Sequence, residues 1–199
     1  MDEQQHSLRL VKGYKVILAS NSPRRKELIG GLGLDFEVRT LRGIDESYPD
    51  TLRGEEIPIF ISGKKAEAYK ETMADDELII TADTIVYDGM KVLGKPKDRQ
   101  EAVQMLHELS GHAHEVITGV SIVTKTKVVQ FASTSKVYFA MLTDEEIAYY
   151  VDQYKPFDKA GAYGIQEWIG FVAVTRIEGS YFNVMGLPIQ RLYTELKRF

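Results

Sequence analysis

The sequence predicts an α/β fold: a twisted mixed β-sheet flanked by helices, in a single domain spanning residues 1–199. Three observations predict it. Apolar runs of strand length alternate with segments of helical spacing from residue 14 onward. Two hairpin signals, Asp88-Gly89 and Lys125-Thr126, interrupt that alternation and bring in antiparallel pairs. No Pro/Gly/Ser-rich linker divides the 199 residues, a length suited to one core or to two small lobes around a cleft.

The elements follow in order. Residues 14–19 form a short apolar run, read as a buried strand. Ser22 then offers an N-cap and Pro23 a first helical residue, opening a two-turn helix over 24–29 that Gly30, Gly31 and Gly33 end. Residues 36–40 read as a second strand and 43–53 as a polar loop. Ile57, Phe60, Ile61, Ala68 and Tyr69 have helical spacing, with Pro58 in the first turn and inward positions at 57, 60, 61, 64, 65 and 68. Residues 78–87 form a strand leading through Asp88-Gly89 to Val92 and Leu93. Asp98 and Glu101 resemble a capping box before the stripe Ala102, Met105, Leu106, Leu109, which stops at Gly111. Residues 115–124 and 127–140 read as long strands. Thr143 and Glu146 cap a helix to about Tyr154. A glycine-rich stretch over 161–170 precedes a strand at 171–177, and Pro188 starts a last helix bearing Ile189, Leu192, Tyr193 and Leu196.

Composition narrows the function. With 44% hydrophobic and 27% charged residues, the chain is not of the disordered class. A net charge of −4 gives no bulk attraction for a nucleic-acid polymer, so any anion site must be a local basic cluster. Cysteine is absent, which excludes disulfides, a thiol nucleophile and a cysteine metal site and fits a reducing cytoplasm. The polar N-terminus lacks the apolar core of a signal peptide, and no run approaches the roughly 20 apolar residues of a membrane span. The expectation is a cytoplasmic protein with no membrane partner and a loose extension over residues 1–13.

The chemistry-bearing residues start at Ser20-Asn21-Ser22-Pro23-Arg24-Arg25. A helix start favours an anion, and two arginines in the first turn oppose the dipole unless an anion offsets them; the alternative is a capped surface helix with solvated arginines. Lys64 and Lys65 fall on the inward stripe, so each either snorkels to solvent or faces a polar cleft. Asp83 interrupts a run, Leu78 to Val86, that otherwise reads as buried. A carboxylate there needs cations, a metal or donors; the roles open to it are metal ligand, general base or the pin of a bulge. Glu46 could be a second metal carboxylate or a solvated loop residue. Lys95 sits on the short turn Gly94-Lys95-Pro96. Gln166 ends the small-residue stretch Asp158-Lys159-Ala160-Gly161-Ala162-Tyr163-Gly164-Ile165-Gln166, and its amide could match the imide edge of uracil or thymine. His112 and His114 share a strand face but lack an evident third metal ligand. Cations for phosphates beside carboxylates for a divalent ion form the inventory of a metal-dependent phosphate site.

These residues together resemble the Maf family of nucleotide pyrophosphatases. The resemblance rests on Ile17-Leu18-Ala19-Ser20-Asn21-Ser22-Pro23-Arg24-Arg25, Ala82-Asp83-Thr84-Ile85-Val86, Gly94-Lys95-Pro96, Leu109-Ser110-Gly111, the stretch 158–166, and Gly179-Ser180-Tyr181 through Gly186-Leu187-Pro188. It implies hydrolysis of a nucleoside triphosphate to the monophosphate and pyrophosphate with Mg²⁺ or Mn²⁺. It also implies two lobes around a central cleft, similar to inosine-triphosphate pyrophosphatases, and often a homodimer. On this resemblance Asp83 is the proton acceptor; Arg24, Thr84 and Gln166 set specificity; Ser20, Arg25, Lys65 and Lys95 bind phosphate; Asp83 and Glu46 bind metal. The stretch 160–166 looks like the branch acting on dTTP and UTP, as opposed to 7-methyl-GTP. Two departures stand out: Ser62-Gly63-Lys64-Lys65, where the family helix more often avoids glycine, and Glu167-Trp168, where small residues are usual. A nucleotide-binding regulator of cell division or septum formation, with hydrolysis secondary or absent, is the alternative, and an inert scaffold a third reading.

Overall fold

The structure, a computed structural model, describes residues 10–199. Most of the predicted N-terminal extension lies outside the described residues. At its end, however, Leu10 and Val11 pack against the core instead of standing free.

One seven-stranded sheet organises the chain, in the order β2-β1-β3-β5-β6-β7 with β4 paired to β3. Strand β1 (Lys15–Leu18) runs parallel to β2 (Phe36–Val38) and β3 (Glu77–Tyr87). Antiparallel ladders then join β3 to β4 (Val92–Leu93), β3 to β5 (Ala113–Val123), β5 to β6 (Val128–Phe139) and β6 to β7 (Val174–Glu178). The mixed sheet follows from the two hairpins, as the sequence predicts.

The period-2 alternation of the central strands sorts side chains between two faces. From β3, Leu78, Ile80, Ala82 and Val86 enter the main core, and from β5 so do Val116, Val120 and Ile122. That face also buries residues of α1 (Pro23–Gly30), α3 (Arg99–Leu109), α4 (Asp144–Tyr154) and α7 (Ile189–Leu196). The opposite face is covered by α2 (Glu56–Lys70), which buries Ile57 and Ile61 against Ile85 and Ile117, and Ala66 and Tyr69 against Ile79.

Helix α2 approaches the sheet closely because β5 has a glycine beneath it. A Cβ on Gly119 would lie 2.3 Å from the Pro58 carbonyl carbon and 2.4 Å from the Ile59 nitrogen. Gly119 is the β5 residue paired with Asp83 of β3. The close crossing therefore lies directly beside the carboxylate that the sequence singles out. The buried stripe of α2 runs 57, 58, 61, 62, 66 and 69, rotated from the predicted one. Phe60 is exposed and Lys64 lies at the rim, while Lys65 points inward. A Cβ at Gly63 would meet the Gln130 amide at 2.7 Å, at the end of an exposed side chain that can swing aside.

Local capping holds where the chemistry is purely local. Ser22 accepts from the Arg25 N–H, and Thr143 with Glu146 forms a complete capping box. At α3 only half forms, because the Glu101 carboxylate reaches the Lys97 N–H, one residue short of the cap. The predicted strand at 171–177 is corrected. Residues Trp168–Val172 form a short helix, α5, and β7 starts only at Val174. The cause is tertiary: a Cβ at Gly170 would lie 1.7 Å from the Ile165 carbonyl oxygen, so this segment folds tightly back on the preceding loop. A further short helix, α6 (Tyr181–Val184), was not foreseen.

Candidate active site

A cleft of about 490 Å³ is lined from both halves of the chain, by residues of the β1–α1 turn, β3, the Lys95 turn, the 158–166 loop and the segment after α6. Every site residue proposed from sequence lines it: Ser20, Arg24, Arg25, Glu46, Lys65, Asp83, Thr84, Lys95 and Gln166.

At its centre is an ion triad. Lys65 Nζ lies 2.8 Å from Asp83 Oδ1 and 3.0 Å from Glu46 Oε1. Lys65 and Asp83 are each only 14% exposed at the side chain, so the burial of this carboxylate that the sequence questions is resolved by a lysine from α2. Glu46 arrives on a loop without regular structure. Its neighbour Asp45 holds that loop by pairing with Lys64 at 2.9 Å, and Lys64 also donates to the Ser47 carbonyl. Adjacent lysines thus engage adjacent carboxylates, and Lys65 is the one that faces the site. Burial raises the Glu46 pKa, but Lys65, Lys95 and Arg25 outweigh it and hold the carboxyl below its usual range.

The two arginines diverge. Arg25 donates through Nε to the Gly186 carbonyl at 2.8 Å, through Nη1 to the Ala82 carbonyl at 2.9 Å and Ser20 Oγ at 3.5 Å, and through Nη2 to Thr84 Oγ1 at 3.1 Å. Four of its five N–H donors therefore go to protein atoms. A mainly phosphate-holding Arg25, as the sequence suggests, has one N–H left for that task. Arg24 is less committed, with Nε on the Met185 carbonyl at 3.2 Å and Nη1 3.7 Å from Asp158 Oδ2. Lys95 is exposed in the cleft wall and makes no ion pair among the described residues.

Thr84 is held by Arg25, by Thr118 Oγ1 at 2.9 Å and by the Gly186 carbonyl at 3.4 Å. Gln166 differs: its Oε1 is buried and has no hydrogen-bond partner among the described residues. A buried, unmet acceptor in a cleft wall is costly unless a ligand donor meets it. The loop carrying it turns through Gly161 (φ 67) and Ala162 (φ 57), and Gly161 lies so close to β3 that a Cβ would meet Val86 at 2.9 Å. A left-handed Ala is uncommon and marks a backbone fixed by its surroundings.

Sequence reasoning missed two groups. Asn183, fully buried, donates to the Val116 carbonyl and Ser135 Oγ, both at 3.0 Å, and so fixes the segment whose Met185 and Gly186 carbonyls receive the arginines. The signal was the Gly179–Pro188 motif, to which no individual role was given. The second group, Tyr150 and Glu167 with Lys159 of the loop itself, ties the 158–166 loop down. The two histidines form no metal site: His114 Nε2 pairs with Tyr163 Oη at 2.7 Å, and His112 Nδ1 meets the Ser110 carbonyl. Among the described residues no group of three or more His, Asp or Glu side chains is placed to hold a metal ion. Asp83 and Glu46 nonetheless converge on one cation, and their hard oxygens suit an ion that keeps most of its coordination for phosphate and water. No helix among the described residues is long and apolar enough to cross a membrane.

The chain is similar to known proteins over most of its length. A dTTP/UTP pyrophosphatase of Parabacteroides distasonis is 63% identical over 189 residues, covering 95% of this chain and 98% of that protein. One from Phocaeicola vulgatus is 63% identical over 185 residues, covering 93% and 96%, and one from Flavobacterium johnsoniae is 50% identical over 186 residues, covering 94% and 95%. Among solved structures, a HAM1 protein from Coxiella burnetii covers 94% of this chain and 100% of its own at 13% identity and a TM-score of 0.48, too distant a likeness to support an argument. The family model described as Maf-like protein matches residues 15–199, the whole span that builds the sheet and the cleft, and this chain belongs to that family.

Proposed function

We infer that this chain is a nucleoside triphosphate pyrophosphatase that hydrolyses dTTP and UTP to the monophosphate and pyrophosphate. The observation that carries the reading is the Lys65–Asp83–Glu46 triad in a cleft also lined by Arg24, Lys95 and a Gln166 acceptor that has no partner among the described residues. Relatives covering nearly the same length at up to 63% identity are named for that reaction.

Asp83 takes a proton as water adds to the α-phosphorus and the α–β anhydride bond breaks, the electron pair leaving with pyrophosphate. Lys65 aims the Asp83 carboxylate through its 2.8 Å contact. Lys95, Arg24 and the remaining donor of Arg25 offset phosphate charge, which such fixed cations do best in a water-poor site. Asp83 and Glu46 are the residues that would hold Mg²⁺ or Mn²⁺. A bound divalent ion supplies Lewis-acid polarisation of phosphate oxygens. At the base end, Gln166 Oε1 accepts from the N3–H of a uracil or thymine imide and its amide N–H donates to a ring carbonyl. Thr84 lines the same cleft.

The test is pyrophosphate release from dTTP, UTP and a purine panel by wild type and Asp83→Asn. Wild type favours the pyrimidines, and the variant loses about 10²-fold or more, the usual share of a general base. Undiminished release by Asp83→Asn would sink the assignment.

A further inference from the structure

The residue that reads the base is not itself held. Gln166 Oε1 has no partner among the described residues, so its aim depends on the backbone that carries it. That backbone is pinned on both sides by side chains outside the triad. Tyr150 Oη, from α4, accepts the Gly164 N–H at 3.0 Å and donates its own proton to Glu167 Oε2 in a short hydrogen bond. The other Glu167 oxygen lies 3.2 Å from Lys159 Nζ, and Lys159 also contacts Asp158 Oδ1 at 2.8 Å. Asp158 in turn faces Arg24 at 3.7 Å. Signs alternate along this chain from Arg24 to Glu167. Its inner end is buried, with Lys159 9% and Glu167 19% exposed at the side chain, while Asp158 is 62% exposed.

Two further contacts fix the same place. A Cβ at Gly164 would lie 2.9 Å from the Gln166 amide nitrogen and 3.1 Å from the Glu167 carboxyl carbon, so both side chains fold back over that glycine. The next residue, Trp168, packs edge-on against Tyr149 of α4 with ring centroids 5.0 Å apart. Glu167 and Trp168 thus dock the loop onto α4.

We propose that Glu167 is a positioning residue for base selection: through Tyr150 and Lys159 it fixes the backbone that aims Gln166 and couples that loop to Arg24 at the other end of the nucleotide. Glu167 touches no reacting atom. The proposal rests on Gln166 reading the base. It predicts that loosening Glu167 changes selectivity, because misplacement by about 1 Å can cost up to 10²-fold for the substrate whose contacts depend on it. Substrates that never match Gln166 have less to lose.

The experiment measures kcat/KM for dTTP, UTP, CTP and GTP with wild type, Glu167→Ala, Glu167→Gln, Tyr150→Phe and Gln166→Ala, beside thermal melts. Glu167→Ala and Tyr150→Phe should each narrow the UTP-to-GTP preference about tenfold. Glu167→Gln, which keeps one acceptor oxygen for the Tyr150 hydroxyl but loses the ion pair with Lys159, should narrow the preference less than Glu167→Ala does. Equal losses for all four nucleotides, or an unchanged preference in a folded Glu167→Ala, would overturn the positioning role. If Glu167→Ala does not fold, Tyr150→Phe decides in the same way, since it removes one hydroxyl and leaves the ion pair. Gln166→Ala separates the two layers. A preference unchanged there refutes base reading by Gln166 and the proposal with it; a preference lost there but intact in the Glu167 and Tyr150 variants refutes the proposal alone.

Discussion

Gly119→Ala tests how α2 is seated and whether that seating matters for chemistry. The new Cβ would lie 2.3–2.4 Å from the Pro58 and Ile59 backbone, against 3.4–4 Å for ordinary contact. Helix and strand must therefore separate by about 1 Å, and the clashing atoms are main chain that cannot rotate away. Overpacking of this kind costs about 1–3 kcal/mol. Replacing a strand glycine recovers about 0.5–1 kcal/mol of unfolded-state entropy, so the net loss is about 1 kcal/mol. For a chain of this size that lowers the melting temperature by roughly 2–4 °C. The same shift carries Lys65, seven residues along α2 from Pro58, away from Asp83. Pyrophosphate release should fall by tenfold or more at 20 °C, well below unfolding, since an ångström at a catalytic carboxylate is worth up to about 10²-fold. Gly30→Ala is the matched control. That glycine ends α1, is exposed, and would bring its Cβ no closer than 3.9 Å to Phe36. It should be neutral or stabilising by up to about 1 kcal/mol. A Gly119→Ala protein that melts with wild type and keeps full activity would refute the claim that α2 rests on bare β5 backbone.

Lys65→Met leaves Asp83 and Glu46 facing each other without their shared cation; activity should fall at least 10²-fold, and Mn²⁺ should raise the variant's melting temperature more than wild type's, an equal rise counting against a common cation position. Burial lowers the His114 pKa from 6.5 to about 4, a pull that Asp88 only partly opposes. The unfolded chain therefore takes up a proton before the folded one does, so this contribution to stability is complete above about pH 6.5 and is lost as pH falls toward 4. The loss is on the order of 3 kcal/mol, and denaturant melts of wild type and His114→Gln should converge over that window; parallel pH profiles would exclude His114 as the cause. Glu77→Gln removes a bidentate pair with Arg39, at 2.6 and 2.9 Å, in which the glutamate is buried and Arg39 is 31% exposed at the side chain. The cost should be about 2 kcal/mol, between the values for exposed and fully buried pairs, and a chemical-denaturation midpoint unchanged from wild type would contradict it.

What could be read from the sequence was what local chemistry decides. Ser22-Pro23 opens α1, Thr143 with Glu146 opens α4, and Asp88-Gly89 turns β3 into β4, because each motif satisfies its own backbone within a few residues. Part of the list of cleft residues was legible for a related reason: Lys65 and Asp83 interrupt apolar patterns and need partners, and the fold pairs them with one another; Ser20 and Thr84 came only from the family resemblance. The distribution of partners was not legible. Arg25 bonds to Gly186, 161 residues away, and no spacing rule reaches that far. Phe171-Val172 reads as strand because both residues are apolar, but Gly170 packing on Ile165 overrides that preference with a turn of helix. The rotation of the buried face of α2 follows from Gly119 on another strand, which lets Pro58 sit against the sheet.

The pair of arginines at the start of α1 shows why partner assignment matters for function. Two positive charges in a first helical turn oppose the dipole, and an anion is one way to offset them. The structure offers another: the Ala82, Met185 and Gly186 carbonyls converge on Arg24 and Arg25 and accept their N–H groups without any ligand. Those acceptors come from β3 and from the segment fixed by Asn183, so Arg25 ties three distant pieces of the cleft together and holds the Thr84 hydroxyl in register with them. A guanidinium bound this way is poorly placed to follow a phosphate through a reaction. Lys95, exposed and without an ion pair among the described residues, and Arg24, with donors to spare, are better placed. On the proposed function, phosphate contact falls chiefly to the cations at the rim, while Arg25 acts as an internal strut that joins the β1–α1 turn, β3 and the segment at Gly186.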